Sequence, residues 1–157
     1  MTQEQLAHLR RIRFLRNPDE VNTFESALSE IERHGGVTQP EVEELYGIFE
    51  DSSSQQDVLW ELLHLIEHLD QGIWLPAFVA VLPEMMTNSA EWADTITARI
   101  LNAERFLPSL EELLKSAPRS RDAILSILED LGRDENPRLQ KLRQNAAGLL
   151  QDLQSRP

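Results

Sequence analysis

Apolar residues recur at intervals of three and four along most of the chain, which is the periodicity of amphipathic α-helices. The last segment shows this spacing at Leu139, Leu142, Ala146, Leu149 and Leu153. No stretch shows the strict apolar–polar alternation of a half-buried strand, and the chain has only six glycines. The pattern predicts an all-α protein.

Helix start and stop signals divide the chain into eight or nine helices joined by short turns. Capping residues precede a proline or an acidic first turn at Asn17-Pro18, Thr38-Gln39-Pro40-Glu41 and Asn136-Pro137. The predicted helices include residues 2–16, 55–70, 106–115 and 118–131, together with an apolar helix over 73–86. We expect Pro76 and Pro83 to interrupt that apolar helix, because a proline removes a backbone donor.

Two architectures fit such a series of helices. Antiparallel helical hairpins stacked as a short HEAT-like array are one, and a compact helical bundle is the other. The length of 157 residues predicts a single domain over residues 1–157. No exact repeat period supports a named repeat family.

Composition removes several classes of protein. The chain has no cysteine, which excludes disulfides and thiolate zinc sites. No apolar run reaches the roughly 18 residues of a membrane span, and the first residues lack the basic-then-apolar order of a signal peptide. We therefore expect a cytoplasmic protein without a membrane partner.

The charge of the chain is concentrated in its centre. Residues 34–98 contain 12 acidic residues and neither Lys nor Arg, whereas the two flanking segments are nearly neutral. The same block holds Tyr46 and all three tryptophans, Trp60, Trp74 and Trp92. Such a block disfavours nucleic acid as a partner and favours a basic protein surface. Solubility alone is the other interpretation of the acidity.

One helix carries the best candidate for metal chemistry. Glu61, His64 and His68 are spaced so that they fall on one side of the helix predicted over 55–70. They are candidate ligands for Zn²⁺ or iron, or else a solvated polar face supported by Glu–His pairs. No catalytic or phosphate-binding motif occurs, so we predict neither an enzyme nor a cofactor.

The polar side of the same helix also carries Trp60, opposite the apolar stripe. A tryptophan framed by acidic residues is typical of a protein-binding anchor. The alternative is that Trp60 packs against a neighbouring helical hairpin. A separate basic cluster at Arg10, Arg11, Arg13 and Arg16 is expected to pair with acidic residues elsewhere in the chain or to lie along the apolar surface.

Two stretches carry a resemblance. They are DVLWELLHLIE at residues 57–67, and EWA at 91–93 followed by RILN at 99–102, with a proline-containing apolar helix between them. Together they resemble the immunity protein 30 family of bacterial polymorphic toxin and contact-dependent growth inhibition systems, over roughly residues 20–130. The resemblance implies a small helical protein, encoded beside a toxin, that binds the C-terminal domain of the toxin and blocks it. It implies no catalytic residue.

The leading hypothesis is therefore an immunity protein that binds a cognate toxin domain with a basic surface, such as a nuclease. The predicted contact residues are the acidic and aromatic residues Glu41, Glu44, Glu50, Asp51, Asp57, Trp60, Glu61 and His64. A generic helical adaptor with another partner and a metal-dependent enzyme using Glu61, His64 and His68 are the alternatives.

Overall fold

The computed structural model describes residues 1–155, so the last two residues of the predicted 1–157 domain lie outside the described part. Within residues 1–155 the secondary structure is entirely helical, which confirms the all-α class. Nine α-helices are present there: α1 Gln3–Arg11, α2 Pro18–His34, α3 Gln39–Tyr46, α4 Gln56–Glu67, α5 Gln71–Asn88, α6 Ala90–Asn102, α7 Leu107–Lys115, α8 Pro118–Gly132 and α9 Gln140–Ser155. Two short 3₁₀ segments, Glu104–Phe106 and Pro137–Leu139, precede α7 and α9.

The contacts divide the chain into two compact units, Met1–Val81 and Leu82–Pro157. The boundary falls within α5, and it also divides the acidic block of residues 34–98. None of the helices in the described part is both long and apolar enough to cross a membrane.

The first unit is built around α2, which packs against both α1 and α4. Its core contains Phe24, Leu59 and Phe78, none of which is exposed to solvent. Tyr46 lies in the same core, with its ring centroid 5.5 Å from that of Phe78. Its hydroxyl donates a hydrogen bond of 3.1 Å to the carbonyl oxygen of Trp74. Burial, with a smaller contribution from Glu67, raises the pKa of Tyr46 and keeps the hydroxyl protonated as a donor.

The first helix is shorter than its sequence pattern predicts. It ends at Arg11 instead of Arg16, and Leu15 adopts a positive φ of 51°. Asn17 caps α2 by accepting the Glu20 N–H at 2.9 Å, as predicted, but the Glu20 side chain accepts the N–H of Arg16 instead of completing a capping box. The turn after Arg11 places Leu15 in the core, where it is only 1% exposed. Tertiary packing therefore ends the helix earlier than the local sequence pattern predicts.

The apolar helix α5 is continuous, which contradicts the predicted interruption at Pro76 and Pro83. It begins at Gln71 because Asp70 caps it, with Oδ1 accepting the Gly72 N–H at 2.7 Å. Gly72 therefore lies inside α5. The helix buries large side chains at Trp74, Leu75, Phe78, Leu82 and Met85, and this burial offsets the backbone hydrogen bonds that prolines remove.

In the second unit the last helix contacts most of the helices before it. Helix α9 packs against α6, α7 and α8. Asn145 on α9 donates a hydrogen bond of 2.7 Å to the Leu101 carbonyl oxygen, and Arg121 on α8 donates to the Leu153 carbonyl oxygen. These contacts join two helical hairpins, α6–α7 and α8–α9, and such contacts occur both in a small bundle and between neighbouring repeats of an array. The stacked-hairpin arrangement stays a prediction.

Candidate protein-binding site

The aromatic residues of the acidic block are mostly core residues. Trp74 and Trp92 are only 4% and 5% exposed, and Tyr46 is buried as well. Trp60 is the exception, because its side chain is only half-buried. The concentration of aromatic residues in this block therefore reflects its core, and only Trp60 fits the predicted role of a binding anchor.

The outward side of α4 carries four of the predicted contact residues. We call this surface the α4 face and define it by Asp57, Trp60, Glu61 and His64. These positions follow at intervals of three, one and three, so they share one side of the helix. The side facing the core buries Val58, Leu59, Leu62, Leu63 and Ile66. The Trp60 and His64 rings lie beside each other, with their centroids 6.0 Å apart.

Two other carboxylates act on Glu61. Its pKa is raised, first by partial burial and then by the negative charges of Glu25 and Asp57. Glu25 lies on α2, the helix that packs against α4. The structure therefore adds Glu25 to the predicted set. Its position directly after the buried Phe24, at the edge of the apolar side of α2, is the sequence signal that marks it.

The acidic residues of the α4 face have no positive charge beside them. Within residues 1–155, neither Asp57 nor Glu61 forms an ion pair with Lys or Arg. The repulsion between Asp57 and Glu61, four residues apart on one helix, is thus left without compensation. A basic group from another molecule would relieve it.

Glu41 and Glu44 lie on a different helix, α3. Glu41 belongs to the start of that helix, where its carboxylate accepts a hydrogen bond of 3.1 Å from the Thr38 hydroxyl. Glu44 is exposed and lines a cleft together with Arg10, Arg11 and other residues of α1. These two acidic residues therefore have local environments unlike that of the α4 face.

Glu50 is held by groups of its own chain. Its carboxylate accepts hydrogen bonds from the Ser52 N–H at 3.1 Å and the Ser52 hydroxyl at 2.8 Å, and it lies 3.5 Å from Arg13 Nε. Partial burial opposes its ionisation, but Ser52 and Arg13 outweigh burial and lower the pKa of Glu50. The predicted pairing of the basic cluster with acidic residues of the chain is thereby confirmed at Arg13.

Asp51 is half-buried in the turn that follows, and its backbone carbonyl accepts a hydrogen bond of 3.1 Å from the Gln56 side chain. The same Gln56 amide also reaches the carbonyl oxygens of Glu50 and Ser53, at 3.2 and 3.0 Å. Gln56 thus fixes the turn to the start of α4. Glu50 and Asp51 lie in this fixed turn.

The three candidate metal ligands do not form a site. Helix α4 ends at Glu67, and the His68 ring nitrogen Nδ1 donates to the His64 carbonyl oxygen at 2.6 Å. Among residues 1–155, no group of three His, Asp or Glu residues is arranged to hold a metal ion. The outward side of α4 is thus a polar and aromatic surface in which Glu61 and His64 serve as surface groups.

The sequence is also similar to a known protein family. Neither a curated protein nor a solved structure matches the chain. The sequence profile described as immunity protein 30 matches residues 11–119, which is about two thirds of the chain and includes both stretches that carried the resemblance. The match confirms the resemblance: the chain belongs to the immunity protein 30 family.

Proposed function

We propose that this protein neutralises a cognate bacterial toxin by binding a basic surface of the toxin with the α4 face. Family membership supports toxin neutralisation. The observation that supports this location is the half-buried Trp60 between acidic residues that lack a positive partner among residues 1–155. We further place the encounter in the cytoplasm of the producing cell, without a cofactor or a catalytic step.

The physical basis of this binding is charge steering followed by burial of an aromatic anchor. Unpaired carboxylates attract a basic surface over about 10 Å at moderate salt, which raises the association rate. Trp60 then supplies apolar area that can fill a pocket and slow dissociation. A toxin that acts on nucleic acid needs a basic surface to hold phosphates, so a nuclease is the class of toxin this face fits best.

The other predicted contact residues have lesser roles in this proposal. Glu41 and Glu44 add negative charge at α3. Glu50 and Asp51 act through the fold, since their groups hold the turn before α4.

The decisive experiment uses the toxin encoded beside the gene. The two proteins are co-expressed and scored for rescue from toxicity and co-purification, and their association is then followed by stopped-flow fluorescence at several salt concentrations. The test variant is Asp57→Lys/Glu61→Lys, with Asp122→Lys/Glu129→Lys on α8 as a control of equal charge change. We expect the test variant to associate at least about tenfold more slowly at low salt, with a weaker dependence on salt.

The control variant should associate nearly as fast as the natural protein. Equal rates for the test and control variants would remove the α4 face from the proposal. Absence of both rescue and co-purification with the natural protein would favour the adaptor hypothesis over immunity to that toxin.

A second variant, Trp60→Ala, separates the anchor from the charges. We expect faster dissociation, by an amount equivalent to about 2 kcal/mol, and little change in the association rate. A Trp60→Ala protein that dissociates at the natural rate would show that the α4 face acts through charge alone.

A further inference from the structure

A second charged surface lies in the first unit, on α1 and the turn that follows it. A cleft of about 620 Å³ opens here, lined by Leu6, Ala7, Arg10, Arg11, Arg13 and Glu44 among others. We call it the arginine cleft. Its apolar lining residues are Leu6, which is almost fully buried, and the exposed Ala7, and its charged groups are predominantly arginines.

The positive charge of this surface is unusual, because the rest of the first unit is acidic. Residues 1–81 contain 15 acidic and only five basic residues, and four of these five lie between Arg10 and Arg16. The first unit is thus strongly acidic except for one short segment. Folding brings Glu20 to Arg16, Glu50 to Arg13 and Glu44 to the cleft, which leaves four guanidinium groups beside three carboxylates in this segment.

Three of the arginines have contacts within the first unit. The guanidinium of Arg10 lies against Gly47, so closely that a Cβ atom at Gly47 would overlap it. Arg13 donates through Nη1 to the Arg10 carbonyl oxygen and lies near Glu50 through Nε. Arg11 contacts the His8 ring at 3.3 Å through Nη2, which leaves most of its five donor hydrogens for other acceptors. Groups fixed in this way lose less conformational entropy when they bind.

The turn after α1 adds an aromatic element. Arg13 and Arg16 each place their guanidinium carbon 4.7 Å from the centroid of the Phe14 ring. Leu15, the next residue along the chain, has the positive φ of 51° that a residue with a branched side chain rarely adopts. The chain therefore keeps a strained turn here, and Phe14 within that turn contacts both guanidinium groups.

We propose that the arginine cleft binds an acidic segment of a partner polypeptide, with carboxylates on Arg10 and Arg11 and an apolar side chain on Ala7. Arginine suits this role because its planar fork pairs with a carboxylate through two parallel hydrogen bonds. A polypeptide fits better than a nucleic acid, since a long phosphate chain would be repelled by the acidic remainder of the unit. This proposal is independent of the α4 face, because each surface has its own residues and its own probe.

The test measures binding of a short fluorescent polyglutamate peptide to the full chain by fluorescence anisotropy. A polyglutamine peptide of the same length and a single-stranded oligonucleotide of the same charge serve as comparison probes. We expect saturable binding of polyglutamate alone. In the variant Arg10→Gln/Arg11→Gln we expect affinity to fall by about tenfold or more, because two charge-assisted contacts are removed.

The matched control is Arg133→Gln/Arg138→Gln, which removes two exposed arginines from the second unit and should leave the affinity within about twofold. Equal losses in the two variants would show a general charge effect and overturn the proposal. Absence of polyglutamate binding to the natural protein, or tighter binding of the oligonucleotide, would overturn it as well.

Gly47→Ala provides a variant without a change of charge. Its added methyl group displaces the Arg10 guanidinium from Gly47 and lies 3.2 Å from the Glu44 carbonyl oxygen, a contact that a shift of a few tenths of an ångström relieves. We expect weaker polyglutamate binding with an unchanged melting temperature. Natural affinity in Gly47→Ala would contradict the pre-ordered arrangement of Arg10, and this variant also keeps the proposal testable should Arg10→Gln/Arg11→Gln fold poorly.

Discussion

Glu50 and Glu61 are both acidic residues of the first unit, and the structure places them in opposite electrostatic environments. Glu50 accepts hydrogen bonds from Ser52 and lies beside Arg13, and its pKa is lowered. Glu61 lies beside Glu25 and Asp57, and its pKa is raised. The same side chain thus stabilises the fold in one place and is under repulsion in the other.

The difference shows how to divide an acidic block into structural and binding charges. A carboxylate that already has a cation and N–H or O–H donors contributes to stability, and a partner gains little by approaching it. A carboxylate surrounded by others gains when a cation arrives. Sequence gives both residues the same weight, because both lie within residues 34–98.

The largest expected effect on stability belongs to Glu50. We expect Glu50→Ala to lower the free energy of unfolding by about 1–2 kcal/mol, because it removes the acceptor of two Ser52 hydrogen bonds and the partner of Arg13. Urea denaturation followed by circular dichroism measures this change. A loss no larger than that of the exposed control Glu129→Ala would place Glu50 among the charges available for binding.

A double-mutant cycle sharpens the role of Arg13. The variants Arg13→Gln, Glu50→Gln and their combination should give a coupling energy of about 0.5–1 kcal/mol, because both side chains are less than one third exposed, at 29% and 16%. Urea denaturation of all four proteins at low salt supplies the cycle. Additive effects would mean that Ser52 alone holds Glu50.

Removal of the charge at Glu61 should raise the free energy of unfolding, whereas loss of Glu50 lowers it. We expect Glu61→Gln to raise the free energy of unfolding by about 0.2–0.5 kcal/mol at neutral pH, since it relieves the repulsion from Asp57 on the same helix. Thermal and urea denaturation, with Glu129→Gln as the control, measure the difference. A destabilised Glu61→Gln protein would mean that the carboxylate has a favourable contact and that the two environments are alike.

Acidification should abolish both the stabilising effect of the Glu50 charge and the destabilising effect of the Glu61 charge. The lowered pKa of Glu50 gives stability above its unfolded-state pKa of about 4.3, and this stability is lost as pH falls through the folded-state pKa. The raised pKa of Glu61 means that the folded state favours the protonated carboxyl group. Its contribution to stability is fully present below about pH 4.3, the unfolded-state pKa, and is lost as pH rises through the folded-state pKa. The unfolding free energy of Glu61→Gln should therefore approach that of the natural protein below about pH 4, whereas that of Glu50→Gln should do so only at still lower pH, below the lowered folded-state pKa of Glu50. Differences that persist at low pH would trace to packing instead of charge.

Sequence reasoning succeeded where a structure depends on neighbours along the chain. Asn17 and Thr38 cap α2 and α3 as predicted, because an N-cap needs only a side-chain oxygen and the N–H three residues later. The outward side of α4 was also predictable, since the period of the helix alone separates Trp60 and Glu61 from Leu59 and Leu62.

Prediction from the sequence was wrong where burial overrides the local conformational preference of a residue. Pro76 and Pro83 were expected to interrupt α5, yet the helix continues through both, because the apolar side chains on either side of them are buried. Composition groups Trp74 and Trp92 with Trp60, whereas their burial assigns them to the core. No property of a tryptophan by itself distinguishes these cases.

The sequence by itself determined the all-helical class, most of the helix starts and the family, because these depend on periodicity, capping and residue identity. Only the tertiary structure decided which acidic residues are compensated. It brought Arg13 to Glu50 and Glu25 to Glu61, over separations of 37 and 36 residues along the chain. Coulomb interactions act through space and weaken within about 10 Å in salt, so tertiary packing decides each case. The packing of α2 against α4 brings Glu25 to Glu61, and contact between the turns after α1 and before α4, where the Ser54 N–H donates to the Phe14 carbonyl oxygen at 3.0 Å, brings Arg13 to Glu50.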